Sequence, residues 1–225
     1  EAFSNACDAL EGAEDFNKAV EEYTAKLMRE HERIVFNGNG YSEEWPVEAE
    51  KRGLPNCKSI VDAIPALVDD TTVEMYEKFN VLSKAELEAR EDILFEQYAG
   101  VRNIEALTMI EMANKMIIPA AVKYTKKLAD TVIAVKEAGA DASVQADMLS
   151  EVSGKLAEMK TAVKALEEVT AKAADAECIK CKAEEYKDDV MAAMAELRKP
   201  ADELELIMPK ELWPMPTYGD LVFEL

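Results

Sequence analysis

Cys178 and Cys181 stand three residues apart, the spacing of half a zinc site or of a redox dithiol. A zinc site needs a second pair of ligands, which is missing nearby, and a thioredoxin-like motif needs a strand context that the sequence does not supply. Two small thiols near a helix start are the simpler account. His31 is the sole histidine, so neither a histidine-pair metal motif nor a Ser-His-Asp arrangement with a second histidine can be assembled. Flanked by Glu30 and Glu32 near a helix end, it reads as a surface or capping residue that favours the negative terminus. The carboxylate runs Glu21-Glu22, Glu43-Glu44, Asp69-Asp70, Glu184-Glu185 and Asp188-Asp189 fall on helices or at their ends, where a solvated face is the ordinary role. No catalytic, cofactor-binding or metal-binding residue is therefore assigned to this chain.

The turn Asn37-Gly38-Asn39-Gly40 is the remaining candidate. Successive backbone N–H groups around paired glycines can cradle an anion. The turn lacks the Lys-Ser/Thr ending of a phosphate loop and does not lead from a strand into a helix in the required way. A shape-determining turn is the plainer reading, and ligand contact there stays open.

The surrounding composition limits the partners. With 225 residues and 49% apolar content, the chain can bury a core as one large domain or two small ones. A formal charge of -20 repels phosphate backbones, which argues against nucleic acid as a partner. No apolar run approaches the roughly 20 residues that span a bilayer, and the start has no signal-peptide pattern. Cys7, Cys57, Cys178 and Cys181 in such a chain point to a reducing cytoplasm, where disulfides are not expected.

Helical signals position all of these residues. After a short helix at 1–11, Phe16, Val20, Tyr23, Leu27 and Ile34 mark an amphipathic helix over 14–33. The Asn-Gly repeat breaks it, because Gly and, less readily, Asn accept positive φ. Ser42 is expected to cap the next helix, with Pro46 in its first turn, and Gly53 followed by Pro55 to end it. A helix over about 59–68, interrupted by Pro65, and another over 71–79 complete a compact base.

From Ser83 the pattern lengthens. Ser83 and Glu86 form a capping box that opens a helix to about Ala138, ~80 Å long at 1.5 Å per residue if unbroken. Leu87, Leu94, Val101, Leu107, Ile118, Val122, Leu128, Val132 and Val135 mark its buried side. Pro119 should kink it. Val144, Met148, Val152, Leu156, Met159, Val163, Leu166 and Val169 define a helix over 143–175, and Ile179, Ala183, Tyr186, Val190, Met194 and Leu197 another over 178–206. Short connections imply antiparallel neighbours, hence a three-helix bundle. The expectation is an all-α chain: a compact helical base (1–82), a long-helix bundle extension (83–206) and a Pro/aromatic docking tail (207–225). In that tail Trp213, Pro214, Met215, Pro216, Tyr218, Leu221, Val222 and Phe223 are too apolar to hang free. They are expected to dock near Phe36, Tyr41 and Trp45 or on a neighbouring subunit.

Four stretches carry a family resemblance. RIVFNGNGYSEEW (33–45) closely resembles a segment of type III glutamine synthetases, and EDFNKAVEEYTAKLMREHE before it, EAEKRGLPNCKSIVDAIPALVDD after it and WPMPTYGDLVFEL at the end agree in order and spacing. LPNCKSIVDAIPALVDD also looks like the segment that closes the catalytic domain of glutamine synthetases generally. The resemblance is strongest up to about Pro119 and over the last dozen residues. Cys178 and Cys181 are not part of it.

The resemblance implies a C-terminal piece of a glutamate-ammonia ligase, a cytoplasmic enzyme of nitrogen assimilation that uses ATP and Mg²⁺ and assembles as stacked homo-oligomeric rings. In that family the nucleotide pocket, metal carboxylates and substrate-gripping arginines lie upstream of the position matching Glu1. The chain begins at Glu1 without an initiator Met and within a helical pattern. It is accordingly expected to be a structural or oligomerisation fragment without the active site, partnered by the rest of its own polypeptide. The alternative is a stand-alone helical protein-interaction module with no enzymatic parent.

Overall fold

The structure, a computed structural model, describes residues 1–223. Glu224, Leu225 and the side chain of Tyr218, all within the expected tail, lie outside the described residues. Among the described residues every regular element is helical and no strand is present, so the all-α expectation holds. No helix among them is long and apolar enough to cross a membrane. The chain divides into two compact units, Glu1–Leu87 and Glu88–Leu225.

The first unit opens with α1 (Ala2–Leu10) and α2 (Phe16–Glu30). Gly12, at φ +81°, makes the turn between them in a conformation that side-chain-bearing residues avoid. Asp15 caps α2 by accepting the Lys18 N–H at 3.1 Å. A 3-10 turn, Glu32–Ile34, follows, then α3 (Glu44–Lys51). The expected stop at Gly53 is made by a left-handed glycine, φ +68°, with the Leu54 N–H returning to the Ala49 carbonyl at 2.9 Å. Ser59 caps α4 (Ile60–Ala63), which passes into a 3-10 turn at Pro65, and α5 spans Asp70–Lys78. Ala49, Val61, Ile64 and Val73 are buried in this unit.

One expectation fails here. Ser42 does not cap α3: its hydroxyl turns back to donate to the Asn39 carbonyl at 2.8 Å, and Glu43 holds the cap position without a side-chain hydrogen bond. The amphipathic helix expected over 14–33 is present as α2, its stripe covered only in part, with Val20 and Tyr23 half-buried. Neither α1 nor α2 buries a single residue, and Phe3, Phe16 and Met28 are 89%, 60% and 65% exposed. The periodicity predicted the helix correctly but could not say whether its apolar face is covered.

The long helix enters the second unit. α6 (Lys84–Met112) is continued by a five-residue π turn, Ala113–Ile117, and α7 (Ile118–Glu137). The Glu86 carboxylate accepts both the Ser83 N–H (2.8 Å) and its hydroxyl (2.7 Å). That is one half of the expected capping box. Pro119 does not break the helix; the wide π turn lies directly before it, where a prolyl ring and its missing N–H disturb the regular ladder. Gly139 (φ +77°) turns the chain into α8 (Ser143–Ala174), followed by α9 (Ile179–Glu185), a second π turn (Tyr186–Val190) and α10 (Met191–Ile207).

Side-chain pairs fix the directions. Lys172 meets Asp189 at 3.2 Å while Lys155 meets Glu203 at 2.8 Å, so position falls on α8 as it rises along the last long helix, and the two run antiparallel. Asn114 bridges to both Lys160 and Glu167 of α8. The core between these helices holds Met159, Val163, Leu166, Tyr186, Val190, Leu197 and Leu204.

On the long helix the buried stripe differs from the expected one. Val101, Leu107 and Val122 are exposed, whereas Ala99, Ala106, Ala113, Ala120 and Ala121 are buried together with Tyr124 and Leu128. Alanine lets neighbouring helices approach closely, so small residues mark the contact and larger ones flank it.

The tail docks within its own unit. Trp213 is buried in the core of the second unit, with Leu212 and Met215 packed against that core; Phe36 stacks on Trp45 within the first unit. The last helix, α11 (Tyr218–Phe223), leaves Leu221, Val222 and Phe223 exposed.

Candidate functional site

The Asn-Gly turn is held by its own side chains. The Asn39 Oδ1 accepts the Tyr41 N–H at 3.0 Å, and the Asn39 carbonyl accepts both the N–H and the hydroxyl of Ser42. These bonds fix the exit of the turn toward α3. Neither Gly38 nor Gly40 has positive φ, so the glycines are not there for left-handed backbone. Gly38 serves close approach: a Cβ there would lie 2.6 Å from the Phe36 ring.

That ring stacks on Trp45 with centroids 4.6 Å apart. Arg52, the C-cap of α3, locks the segment from the other side. Its guanidinium donates to the carbonyl of Val35 (2.7 Å) and of Arg33 (3.3 Å), and its Nε donates to Glu48 at 2.7 Å. It also lies 5.8 Å from the Trp45 ring centroid. The Arg52 hydrogen bond holds the Glu48 carboxyl below its ordinary range. Every residue of this constellation is occupied in fixing the path of the chain.

The other candidates are scattered. His31 is the exposed C-cap of α2, the helix-end position read from the sequence. Asp69 accepts a hydrogen bond from the Thr71 hydroxyl, Glu22 and Glu184 pair with lysines one turn away, and Glu185 and Asp189 share Lys172. Among the described residues no three His, Cys, Asp or Glu side chains converge to hold a metal ion.

Cys178 and Cys181 overturn the expectation that disulfides are absent. The two sulfurs are bonded, with Cα atoms 5.1 Å apart, while Cys7 and Cys57 are free and exposed. Locally, a cysteine at the N-cap and another three residues on, in the first helical turn, are brought within bridging distance by the helix itself.

Sequence reasoning also missed a cavity of about 460 Å³ in the second unit, lined by Met109, Met159, Leu197, Trp213, Met215 and Leu221 among others. Its residues come from α6, α8, α10, α11 and the loop around Trp213, and no local spacing announces it. Thioether and hydrocarbon dominate its wall, with the Arg198–Asp202 ion pair (3.1 Å) at its edge. Such a lining accepts apolar matter and gives no cradle for phosphate.

Residues 19–136 match the family described as the glutamine synthetase C-terminal domain. The chain belongs to that family. A glutamine synthetase from Butyrivibrio fibrisolvens is 34% identical over 98% of this chain and 32% of its own length. A type-3 glutamine synthetase from Dictyostelium discoideum is 29% identical over 92% of the chain and 29% of its own length, and a glutamine synthetase from Bacteroides fragilis (strain YCH46) is 28% identical over 90% and 29%. The chain thus spans about a third of the length of the curated relatives it matches. The matched region contains the Asn-Gly turn and its Arg52 clamp, whereas Cys178 and Cys181 lie beyond it.

Proposed function

We propose that this chain is the C-terminal helical portion of a glutamine synthetase, in which it stiffens the end of the catalytic domain and offers surface for subunit contact. The ligation of ammonia to glutamate at the expense of ATP would be performed by other parts of the parent polypeptide, in a cytoplasmic homo-oligomer. No three potential metal ligands converge among the described residues. No step of the reaction is assigned to the side chains of this chain.

The observation that carries the reading is the uncovered apolar face of the first unit. Phe3, Phe16 and Met28 lie open on α1 and α2, neither of which fully buries a residue, and Ile34 lies open on the 3-10 turn that follows. Each large side chain of this kind gains roughly 1.5–3 kcal/mol when it is fully covered. A surface of this sort suits a seam with more protein. On α6, Ile93, Ile104 and Leu107 form a second exposed apolar row, roughly opposite the buried alanines by helical periodicity, and it suits a subunit contact. Titration calorimetry with Mg²⁺-ATP tests the division of labour. The 225-residue chain should give no binding heat and the longer polypeptide a saturable one; saturable binding by the short chain would refute the proposal.

A further inference from the structure

We propose that Cys178 and Cys181 form a reversible dithiol/disulfide couple that exchanges with a small peptidic disulfide, with Cys178 as the exchanging sulfur and Cys181 as the resolving one. Four observations on the structure carry this. The sulfurs are already bonded, and both residues are exposed. The Cys178 sulfur accepts the Cys181 N–H at 2.9 Å, a hydrogen bond that favours negative charge on sulfur. Lys182 lines the cleft beside Cys178 together with Glu96 and Glu177, placing an ammonium group where an incoming thiolate would lie. Finally, this cleft of about 320 Å³ opens against Cys178, lined by Glu96, Ala99, Asn103, Lys182 and Tyr186 among others. Its mixture of amide, carboxylate and ammonium groups suits a peptide backbone, and its position lets such a molecule lie beside the sulfur it attacks.

The chemistry balances without any further reagent. In reduction, one glutathione thiolate attacks the Cys178 sulfur. The Cys178–Cys181 bond breaks and its electron pair leaves on Cys181, which takes up a proton. A second glutathione thiolate attacks the glutathione sulfur of the mixed disulfide, releasing glutathione disulfide and a protonated or anionic Cys178. Two electrons pass from two glutathiones to the protein pair, and oxidation is the reverse. The α9 start then alternates between a covalently tied and an open first turn. This inference does not rest on the ligase reading; the pair lies outside residues 19–136, which match the family model.

The experiment uses the full 225-residue chain with Cys7→Ser and Cys57→Ser, which removes the two free exposed thiols. Samples are equilibrated with glutathione and glutathione disulfide at graded ratios, quenched with acid, alkylated and weighed intact. The expected result is a smooth two-electron interconversion between doubly alkylated and unalkylated chain. A pair that stays fully reduced, or fully bridged, across the whole range would overturn the proposal. In the same background, Cys181→Ser should accumulate one glutathione per chain on Cys178, and Cys178→Ser should react with glutathione disulfide about tenfold more slowly. Equal rates for the two variants, with unchanged helical circular dichroism, would overturn the assignment of roles. The titration of the intact pair stands even if a single variant misfolds.

Discussion

Replacing Gly38 by alanine would place a Cβ 2.6 Å from Cζ and 2.8 Å from Cε1 of Phe36. The backbone at Gly38 is outside the left-handed region, so the conflict is purely steric. Its relief requires the Phe36 ring to swing away from Trp45, with which it is stacked at 4.6 Å and 29°. Loss of an offset-stacked aromatic pair costs about 0.5–1.5 kcal/mol. Partial exposure of the half-buried Phe36 ring brings the expected total to roughly 1–2 kcal/mol. For a unit of this size, Glu1–Leu87, each kcal/mol lowers Tm by about 4–8 °C. Trp45 reports the event directly, because its ring loses a stacking partner and gains water. Fluorescence of Trp45 in a Trp213→Phe background, followed through heat and urea, should show an altered native emission and an earlier transition in the variant. An unchanged spectrum together with an unchanged midpoint would show that the ring is not seated on Gly38, and the turn would need another explanation.

Three further outcomes are expected. Leu197→Ala, at a 2% exposed core position, should cost about 2–5 kcal/mol, whereas Val101→Ala, exposed although the spacing predicts burial, should change stability by less than about 0.5 kcal/mol in denaturant titrations. Ala106→Leu should destabilise the second unit by roughly 1–3 kcal/mol by forcing the helices apart, and a neutral result would contradict the alanine seam. Asp220, hydrogen-bonded to Lys210 and to the N–H and hydroxyl of Thr217, has its carboxyl held down to about 2. Because its folded value lies below its ordinary 3.8, the stabilisation of the α11 cap is complete above pH about 4 and is lost as pH falls through about 2. Carboxyl-carbon NMR should place the midpoint there and move it upward in Lys210→Gln; an ordinary midpoint in the unsubstituted chain would remove the latch.

Much of the fold was legible because its punctuation is chemical. Gly12, Gly53 and Gly139 adopt positive φ at helix ends, Asp15 and Ser59 cap where short polar side chains should, and the long apolar patterns between them are helices. The packing was less legible. Counting large apolar residues put Val101, Leu107 and Val122 in the core, while the contact is made by alanines, which carry little weight in any hydrophobic pattern.

Several local readings failed for different physical reasons. The Asn-Gly repeat was read through backbone freedom, but Gly38 answers to a ring folded over it from Phe36, a tertiary contact. Ser42 has the chemistry of a cap and spends it on Asn39. The Cys178–Cys181 bond was hidden because the argument considered the compartment and not the three-residue geometry of a helix start. The cavity around Trp213 and Met159 assembles from residues more than fifty positions apart, beyond the reach of spacing rules.

Glutamine formation from glutamate, ammonia and ATP, measured on the 225-residue chain beside the longer polypeptide, tests the central claim most directly. A helical portion without ligation chemistry predicts product from the longer protein and none above background from the chain alone. Sustained, ATP-dependent glutamine formation by the 225 residues would contradict it.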